Sequence, residues 1–475
     1  MRTLLGIYLF FLAIYLATCS GHINVSDEVA VYLTTQSIVE RHSLAIERVL
    51  DTLPGKDGAY YARYQPAQAV LSIPLYVLGR FVEHAFPGLH TYLAIPDYGA
   101  AGGTVPIFFV SLFNQFITPL VCVLFYLFCL RLGAGRNRAL LATALYGLAT
   151  PAWVYARTYF QHPLETLALL AALYVLVARR DDVRVQQSLL AGVAFALGAA
   201  TRINVLLVAP VFVLYLLWAA RNGQSSAGDV QAYLWRAGRL LLAFLAPVGV
   251  VLGIILLHNV MRFGSPSFGI AMDFSTPVGV GLFGYLLSPG RSIFLYAPPV
   301  ILGLLAWPRF VHAYRAEALL MASIIAIYLV TYSTYAIWYG GWSFGPRYLL
   351  AVIPFLLLPV IFLPATKPLL ALAAGLVAAG VGVQLLGVTV NFVCIHNKWV
   401  AMQLSPLDSY LFVGGISAIP MHIQALQNRW CLDLWLRWLS RQFGAEVYLL
   451  FALLLLLALV GVRLATSDRA ERRRA

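Results

Sequence analysis

Two adjacent carboxylates, Asp27 and Glu28, follow an apolar segment near the start of the chain. A carboxylate at the boundary between water and lipid is partly desolvated, and it can take a proton from a bound hydroxyl group. We therefore predict that Asp27 is a general base, with Glu28 as the second candidate. The alternative is structural, because Ser26 or Asp27 would also cap a helix that begins at this point.

Arginines are the second group that could do chemistry. Arg347 lies in the segment YGGWSFGPRYL, where three glycines permit a tight turn with exposed backbone amides and a proline suits the first turn of a helix. A guanidinium there can bind a phosphate that the amides and the helix dipole also favour. Arg63, Arg202 and Arg291 are further candidates for phosphate binding. The alternative for each is an arginine that only extends to the membrane surface.

Metal ligands and cofactors leave no clear pattern in the sequence. His162, His258 and His396 are separated from each other and from any acidic cluster, which favours interface histidines over a metal site. We predict no metal ligands and no certain cofactor, and the sequence leaves a requirement for a divalent metal open. Cys394 and Cys431 share one predicted loop and could form a disulfide if that loop is extracytoplasmic.

Composition decides which solvent surrounds these groups. The 475 residues are 61% hydrophobic and 11% charged, which is too apolar for a soluble domain of this length. The net charge of +13 is scattered between apolar runs and forms no long basic tract, so it indicates membrane topology and not a nucleic-acid partner. The chain is predicted to be an all-α polytopic membrane protein, with residues 1–475 forming a single integral membrane domain.

Apolar windows long enough to cross a bilayer set the number of spans. The first window has a single flanking arginine and resembles a secretory signal or a lipoprotein signal, but with many spans after it an uncleaved first helix is favoured. Twelve spans are predicted near 3–19, 105–130, 139–156, 164–178, 188–200, 204–220, 240–260, 292–307, 317–337, 348–364, 369–391 and 445–463.

Basic residues orient these spans. With twelve spans, the arginine-rich connections 131–138, 179–184, 221–239 and 309–315 and the basic C-terminal tail all face the cytoplasm. Both termini are then cytoplasmic, in a cell or inner membrane. A thirteenth window, 67–79, would reverse part of this pattern, so we predict a juxtamembrane or re-entrant helix there, and a count of thirteen is the alternative.

This topology gives the outer face the long connections 20–104, 261–291 and 392–444. The first extracytoplasmic loop, 20–104, is predicted to hold juxtamembrane helices, and the last one is 392–444. Asp27 and the four arginines all lie on this face. Because function concentrates in long loops of distinct composition, any chemistry is predicted at the outer side.

Several segments, in order along nearly the whole chain, resemble a known family. The similarity is to bacterial polytopic membrane glycosyltransferases of superfamily C, also called GT-C. It is carried by the acidic pair after the first span and by YYARYQPAQAVLSIPLYVLG, YFQHPLETLALLAAL, FALGAATRINVLLVAPV, HNVMRFGSPSFG, GLFGYLLSPGRSIFLYAPPVILGLL and WSFGPRYLLAVIPFLLLP.

The resemblance implies an enzyme that transfers a sugar, hexosyl or pentosyl, from a polyprenyl-phosphate carrier to a lipid, glycan or protein acceptor on the outer face. In the family, the acidic residue after the first span is the base or aligns the acceptor, which maps to Asp27. The resemblance also suggests Tyr64 and Gln65, beside Arg63, as substrate-binding residues.

His162 is a further predicted substrate-binding residue, although it departs from the family's pattern. The family often has an acidic residue before the proline where this chain has His162 and Pro163. Glu165, one helical turn further, is the candidate to replace that acid, or it is a packed polar residue.

The main alternative function is a membrane transporter or a flippase of lipid-linked saccharides. A transporter would favour internal repeats and ionisable residues within its spans, whereas most charges here lie at the ends of spans and no repeat is visible. The donor sugar, the acceptor and the oligomeric state are not determined by the sequence.

Overall fold

Long apolar helices and one small sheet make up the structure, which is a computed structural model. It describes residues 1–89, 105–222, 230–266, 273–406 and 409–467. The end of the predicted first loop, part of the HNVMRFGSPSFG segment and the basic tail beyond 467 lie outside the described residues.

The helices and strands follow one another in chain order. They are α1 Arg2–Ala17, α2 Ser26–Arg41, β1 Ala45–Ile46, β2 Thr52–Pro54, β3 Tyr60–Ala62, α3 Ala67–Leu71, α4 Ile73–Ala85, α5 Val105–Ser111, α6 Phe113–Arg131, α7 Arg136–Ala149, α8 Ala152–Ala156, α9 His162–Val177, α10 Val185–Thr201, a 3-10 helix Ile203–Val208, α11 Ala209–Asn222, α12 Val230–Phe263, α13 Val278–Leu287, α14 Ile293–Tyr296, α15 Val300–Ala313, α16 Arg315–Thr334, a 3-10 helix Arg347–Val352, α17 Ile353–Leu357, a 3-10 helix Leu358–Phe362, α18 Lys367–Thr389, α19 Phe392–Ala401, a 3-10 helix Gly414–Ile416, α20 Ala418–Gln427, α21 Trp435–Phe443, a 3-10 helix Gly444–Glu446 and α22 Val447–Thr466.

The predicted all-α polytopic architecture is confirmed. Six described helices are long and apolar enough to cross a membrane, and six shorter apolar helices accompany them. Each of the twelve predicted windows overlaps helical structure. The exact count of twelve spans stays a prediction, since the apolar helix α13 falls in a segment predicted as an outer loop.

The first loop folds into helix α2, a three-stranded antiparallel sheet of order β1-β3-β2, and helices α3 and α4. The sheet was not predicted. It is supported by α12, whose 34 residues extend about 51 Å at 1.5 Å per residue, beyond a hydrocarbon core of about 30 Å. Near the end of α12, Arg262 donates from Nη1 to the carbonyl of Ala62 in β3 at 3.2 Å. The helix thereby holds the strand that leads into Arg63–Gln65.

The segment predicted as a juxtamembrane helix is divided between α3 and α4, with Ser72 between them. Several apolar side chains of α4 are exposed, including Val77, Leu78 and Phe81. An exposed apolar face on a short helix is typical of a helix that lies along a membrane surface. Its location relative to the bilayer stays a prediction.

Basic connections from distant parts of the chain meet at one end of the bundle. Arg136 donates from Nη2 to the carbonyl of Ala465 at 2.6 Å, and Arg138 donates from Nη1 to the carbonyl of Ile361 at 2.9 Å. These contacts bring together the 131–138 connection, the end of α22 and the residues before α18. The charge pattern predicted that the 131–138 connection and the C-terminal end would lie on one common face. The side of the membrane on which this face lies stays a prediction.

Glycines allow the first and last helices to pack closely. A Cβ atom built on Gly6 would collide with the backbone of Ala465, and one on Gly461 would collide with the backbone of Phe10. Small residues at such crossings let helix backbones approach within membranes, where close packing stabilises association. The helix that leads to Asp27 is thereby fixed against α22.

Candidate active site

Helix α2 begins directly beside the candidate base, and Glu28 caps it. Its N-cap residue is Val25, so the alternative that Ser26 or Asp27 is the cap is wrong. The Oε2 atom of Glu28 accepts from the backbone amides of Asn24 at 2.9 Å and Val25 at 3.3 Å, while its Oε1 accepts from the amide of Tyr159 at 2.7 Å. These three amide hydrogen bonds fix the orientation of the Glu28 carboxylate, and its role as the second candidate base stays a prediction.

Asp27 instead points away from the helix end and pairs with Arg347. The Nη1 atom of Arg347 donates to Oδ2 of Asp27 at 2.9 Å, and both side chains are largely buried, at 12% and 14% exposed. The two residues are 320 positions apart in the chain. The structure therefore brings the predicted base and the predicted phosphate-binding arginine together in one ion pair.

The turn before Arg347 is built as its glycines predict. Gly340 and Gly345 have φ angles of 77° and 73°, which side chains disfavour, and Arg347 begins a 3-10 helix directly after Pro346. The guanidinium lies over the ring of Phe160, with Cζ 4.6 Å from the ring centroid. This stacking fixes the plane of the guanidinium without using its hydrogen-bond donors.

Arg202 has a second buried carboxylate as its partner. Its Nε lies 3.0 Å from Oε2 of Glu165, whose side chain is 1% exposed, and its Nη2 donates to the hydroxyl of Tyr332 at 3.2 Å. The other oxygen of Glu165 accepts from Asn204 at 2.7 Å and from Tyr328 at 2.8 Å. Of the two alternatives for Glu165, the packed and paired polar residue agrees with these contacts.

Arg63 completes a third pair, with Asp51. The Nε atom of Arg63 lies 3.6 Å from Oδ1 of Asp51, and the hydroxyl of Tyr64 donates to the same oxygen at 3.1 Å. The hydroxyl of Ser26 also donates to this carboxylate. Asp51 was not among the predicted residues, because nothing in the local sequence separates it from other loop acids.

These pairs surround one cavity of about 120 Å³ that opens to the outside. Six of the predicted site residues line it: Asp27, Arg63, Tyr64, Gln65, Arg202 and Arg347. The sequence analysis missed the remaining lining residues, which are Gln161, Thr201, Ile203, Asn204, Tyr332, Tyr335 and Tyr348. In the sequence, these residues stand out only because some of them lie next to predicted site residues. The tyrosines also lie near the ends of predicted spans, where tyrosine is common.

His162 lies beside this cavity, at a small hollow of about 10 Å³ that is also lined by Asp27 and Arg202 and has room for one group the size of a hydroxyl. The imidazole is 2% exposed and packs between aromatic rings, with the ring centroid of Tyr348 at 5.8 Å. The structure thus places His162 next to the cavity, and its role as a substrate-binding residue stays a prediction.

Arg291, also predicted to bind substrate, is not among the residues that line this cavity. It is fully buried and donates to the backbone carbonyls of Tyr339, Gly290 and Gly341, the last at 3.1 Å. Because its donors are used by the backbone, it does not line the cavity described above. Its contacts with Tyr339 and Gly341 hold the glycine turn that presents Arg347, which suits a positioning role, and binding of substrate by Arg291 stays a prediction.

Burial sets the protonation of the two adjacent carboxylates. Burial raises the pKa of Asp27, and the neighbouring Arg347 guanidinium opposes that rise. Burial and the Asp27 charge raise the pKa of Glu28 to about 7, against the three amide hydrogen bonds. A carboxylate with a raised pKa is a stronger base than one in water, which suits Asp27 to proton transfer.

Cys394 and Cys431 form a disulfide, which resolves the alternative that the sequence left open. It closes the loop between α19 and α21 beside a buried cluster in which Arg157 donates to Asp433 at 2.6 Å. Asn391 also donates to Asp433 at 2.9 Å. Disulfides persist in oxidising compartments, so this bond favours an extracytoplasmic location for the 392–444 loop.

Metal-ligand geometry does not occur in the described ranges. No group of three or more His, Cys, Asp or Glu side chains in this part of the chain could hold a metal ion. The acidic groups around the cavity are instead paired one to one with arginines. The site's charge balance is therefore built from guanidinium and carboxylate groups.

Comparison with known proteins gives similarity at the level of solved structures. No family model and no curated protein matches the chain. One similar structure is a S. cerevisiae protein O-mannosyltransferase Pmt1-Pmt2 complex bound to the sugar donor, at 17% identity and TM-score 0.40, covering 54% of this chain and 33% of that one. Another is ArnT from Cupriavidus metallidurans in the apo state, at 16% identity and TM-score 0.45, covering 96% and 75%.

A third similar structure is the archaeal oligosaccharyltransferase AglB from Archaeoglobus fulgidus, in complex with an inhibitory peptide and a dolichol-phosphate. Its identity is 10% and its TM-score 0.45, with 90% of this chain and 56% of that chain covered. The chain thus spans between a third and three quarters of the length of these structures. At such identities the similarity concerns the fold, so the activity and substrates of this chain are proposals.

Proposed function

We propose that the protein is a membrane glycosyltransferase that transfers a sugar from a polyprenyl-phosphate donor to an acceptor hydroxyl at the outer face. The observation that carries this proposal is the buried Asp27–Arg347 pair in a cavity that also contains Arg63 and Arg202. One carboxylate and three guanidinium groups match the needs of a reaction with a phosphate leaving group. The sequence resemblance to superfamily C supports the same class.

In this mechanism, Asp27 removes the proton from the acceptor hydroxyl, and the oxygen attacks the anomeric carbon of the sugar. The bond between that carbon and the phosphate oxygen breaks, and the phosphate leaves with the electron pair. No acid is needed to protonate this leaving group, so one carboxylate suffices. Guanidinium groups stabilise the departing charge through charge-assisted hydrogen bonds.

Donor binding would also release the base. In the structure Arg347 donates to Asp27, and an arriving phosphate competes for the same guanidinium. Once Arg347 turns its donors to the phosphate, Asp27 loses its partner and is free to accept the acceptor's proton. This order of events allows the base to act only when a donor is present.

The lipid part of the donor requires a route from the membrane. The apolar side chains Val70, Leu71, Val77 and Phe81 on α3 and α4 are exposed, and these helices follow Gln65 directly in the chain. A prenyl chain could lie along this surface while its phosphate reaches the cavity. We therefore place the donor's entry beside α3 and α4.

A transporter or flippase is the competing function. It needs a polar path through the bundle, and the structure has a second large cavity at the basic end, lined by Arg180, Arg315 and Glu317 among others. Within the described residues, this cavity and the Asp27 cavity share no lining residue. Separate cavities favour a reaction at one face over passage between faces.

The test is an assay of purified protein in liposomes with a panel of polyprenyl-phosphate sugars and candidate lipid, glycan and peptide acceptors. We expect release of the polyprenyl phosphate together with glycosylation of one acceptor class. Movement of an intact lipid-linked saccharide across the bilayer, without release of its phosphate carrier, would instead support the flippase.

A further inference from the structure

We propose that His162 hydrogen-bonds to a hydroxyl group of the donor's sugar, and so distinguishes a sugar-bearing polyprenyl phosphate from the bare phosphate. This inference rests on the proposed function and adds the group that recognises the sugar. It makes His162 a binding residue of the donor, separate from the arginines that hold the phosphate.

The first observation is that both nitrogens of His162 lack partners. The side chain is 2% exposed, and neither Nδ1 nor Nε2 has a hydrogen-bond partner anywhere in the described part of the chain. Buried polar groups in folded proteins nearly always have a partner, because leaving one unpaired carries a desolvation penalty. Two unpaired nitrogens on one ring therefore indicate a group that binds there.

The second observation is that the ring is fixed without hydrogen bonds. Its centroid lies 5.8 Å from that of Phe160, 5.8 Å from that of Tyr348 and 6.2 Å from that of Tyr155. Aromatic packing on these sides orients the imidazole while leaving its nitrogens free. A preorganised polar group of this kind loses little freedom when a ligand binds.

The third observation is the location of the hollow that His162 lines. It shares Asp27, Tyr64, Gln161 and Arg202 with the main cavity, so the two spaces adjoin. In the proposed reaction the phosphate faces the arginines and the acceptor faces Asp27. The sugar must lie between the phosphate and the acceptor, because its anomeric carbon loses the bond to the phosphate oxygen and gains a bond to the acceptor oxygen. His162 is therefore adjacent to the position of the sugar.

The chemistry of imidazole matches a hydroxyl group. In its neutral form the ring offers one N–H donor and one nitrogen acceptor, and a sugar hydroxyl both donates and accepts. A carboxylate at this position would accept only. The histidine thus suits an uncharged sugar rich in hydroxyl groups.

The experiment compares two probes on matched variants in detergent or nanodiscs. The probes are a bare polyprenyl phosphate and the same carrier bearing the sugar that the wild type accepts best from mannose, glucose and arabinose. His162→Phe keeps a ring in the aromatic packing and removes both nitrogens, while His162→Asn retains a donor and an acceptor. The control is His422→Asn, another buried histidine with an unpartnered Nε2, which lines none of the cavities described here.

We expect His162→Phe to weaken binding of the sugar-bearing probe by roughly 3- to 10-fold, as for loss of a neutral hydrogen bond. Binding of the bare phosphate should stay within about twofold, since that probe lacks the group removed. His162→Asn should fall between, and the control should match the wild type for both probes. If the phenylalanine variant does not fold, His162→Asn is used alone. A larger loss of affinity for the sugar-bearing probe than for the bare phosphate would then support the proposal.

Equal losses for both probes, or no loss for either, would overturn the role of His162 while the phosphate site stands. Failure of the wild type to bind either probe would instead remove the proposed function, and this inference with it. The two failures are therefore distinguishable from one set of titrations.

Discussion

Arginines occupy both ends of the helical bundle, but the two ends hold them differently. At the basic end Arg131 lies 3.7 Å from Asp181, and the two side chains are 38% and 78% exposed. At the cavity end Arg347 lies 2.9 Å from Asp27, and both are nearly buried. Exposed pairs contribute about 0–1 kcal/mol, whereas a buried charge left without a partner is strongly destabilising.

This contrast separates topology from chemistry. A solvated arginine at a span end orients the chain and needs no particular partner. A desolvated arginine whose partner is a desolvated carboxylate is poised to exchange that partner for a ligand of the same charge. The environment of the guanidinium, more than its position in the sequence, indicates which arginines take part in binding.

The largest effect on the transfer rate is expected when a carboxylate of the cavity end and one of the basic end are replaced in turn. Asp27→Asn should lower the transfer rate at least about 100-fold, because an amide cannot act as the general base. Expression should stay close to that of the wild type, whereas the thermal stability should fall, because Arg347 loses its charged partner. Asp181→Asn at the basic end is the matched control and should leave the rate unchanged. Full activity in Asp27→Asn would remove the base assignment.

The next effect concerns the arginines themselves. Arg347→Ala should weaken binding of a bare polyprenyl phosphate by roughly 10- to 100-fold, the usual range for a charge-assisted hydrogen bond. Arg347→Lys should recover part of that loss. Arg221→Ala, at an exposed position, serves as the comparison and should change binding by less than about twofold. Equal losses in Arg347→Ala and Arg221→Ala would contradict phosphate contact.

A smaller effect should separate positioning from binding. Arg291→Lys loses most of the donors that hold the turn before Arg347, so the free energy of unfolding should fall by about 1–3 kcal/mol. Phosphate affinity should fall less than in Arg347→Ala, because Arg347 remains. Arg309→Lys, an exposed substitution of the same type, should change neither quantity. A loss of affinity without loss of stability would indicate direct contact by Arg291.

The last expected effect is a pH dependence of stability, with no loss of affinity, that involves Glu28. Its pKa is raised to about 7 in the folded protein from an ordinary value near 4.5, so the folded state binds the proton more tightly. This contribution to stability is complete below pH 4.5 and is lost as the pH rises through about 7, by up to about 3 kcal/mol.

Thermal unfolding between pH 5 and pH 8 measures this dependence. Glu28→Gln should flatten the fall in stability, whereas the exposed control Glu47→Gln should keep the wild-type slope. The same slope in Glu28→Gln as in the wild type would show that another group titrates.

Local patterns in the sequence were enough for much of the molecule. The twelve apolar windows overlap helical structure because hydrophobicity and helix formation in lipid are properties of short segments. The glycines of the 339–349 segment predicted a turn ahead of Arg347, since backbone sterics are also local. Asp27 and Arg347 were both chosen from such local features.

Their partners depended on the folded chain. Arg202 and Arg291 are alike in sequence, each at the edge of an apolar run, yet one faces a cavity and a buried glutamate while the other binds backbone carbonyls. Asp51 carries no local signal, and its role follows from contact with Arg63 and Tyr64. The paired residues are 13 positions apart for Asp51 and Tyr64 but 320 for Asp27 and Arg347, and a single sequence does not specify which residues meet.

The sequence by itself determined that this is a membrane protein. It also determined which segments form helices and which charged residues lie at the ends of those helices. Only the tertiary structure decided which of those charges meet in a desolvated hollow. The reason is physical: hydrophobic partition acts segment by segment, whereas the strength of a charge depends on the dielectric surroundings that the whole fold creates.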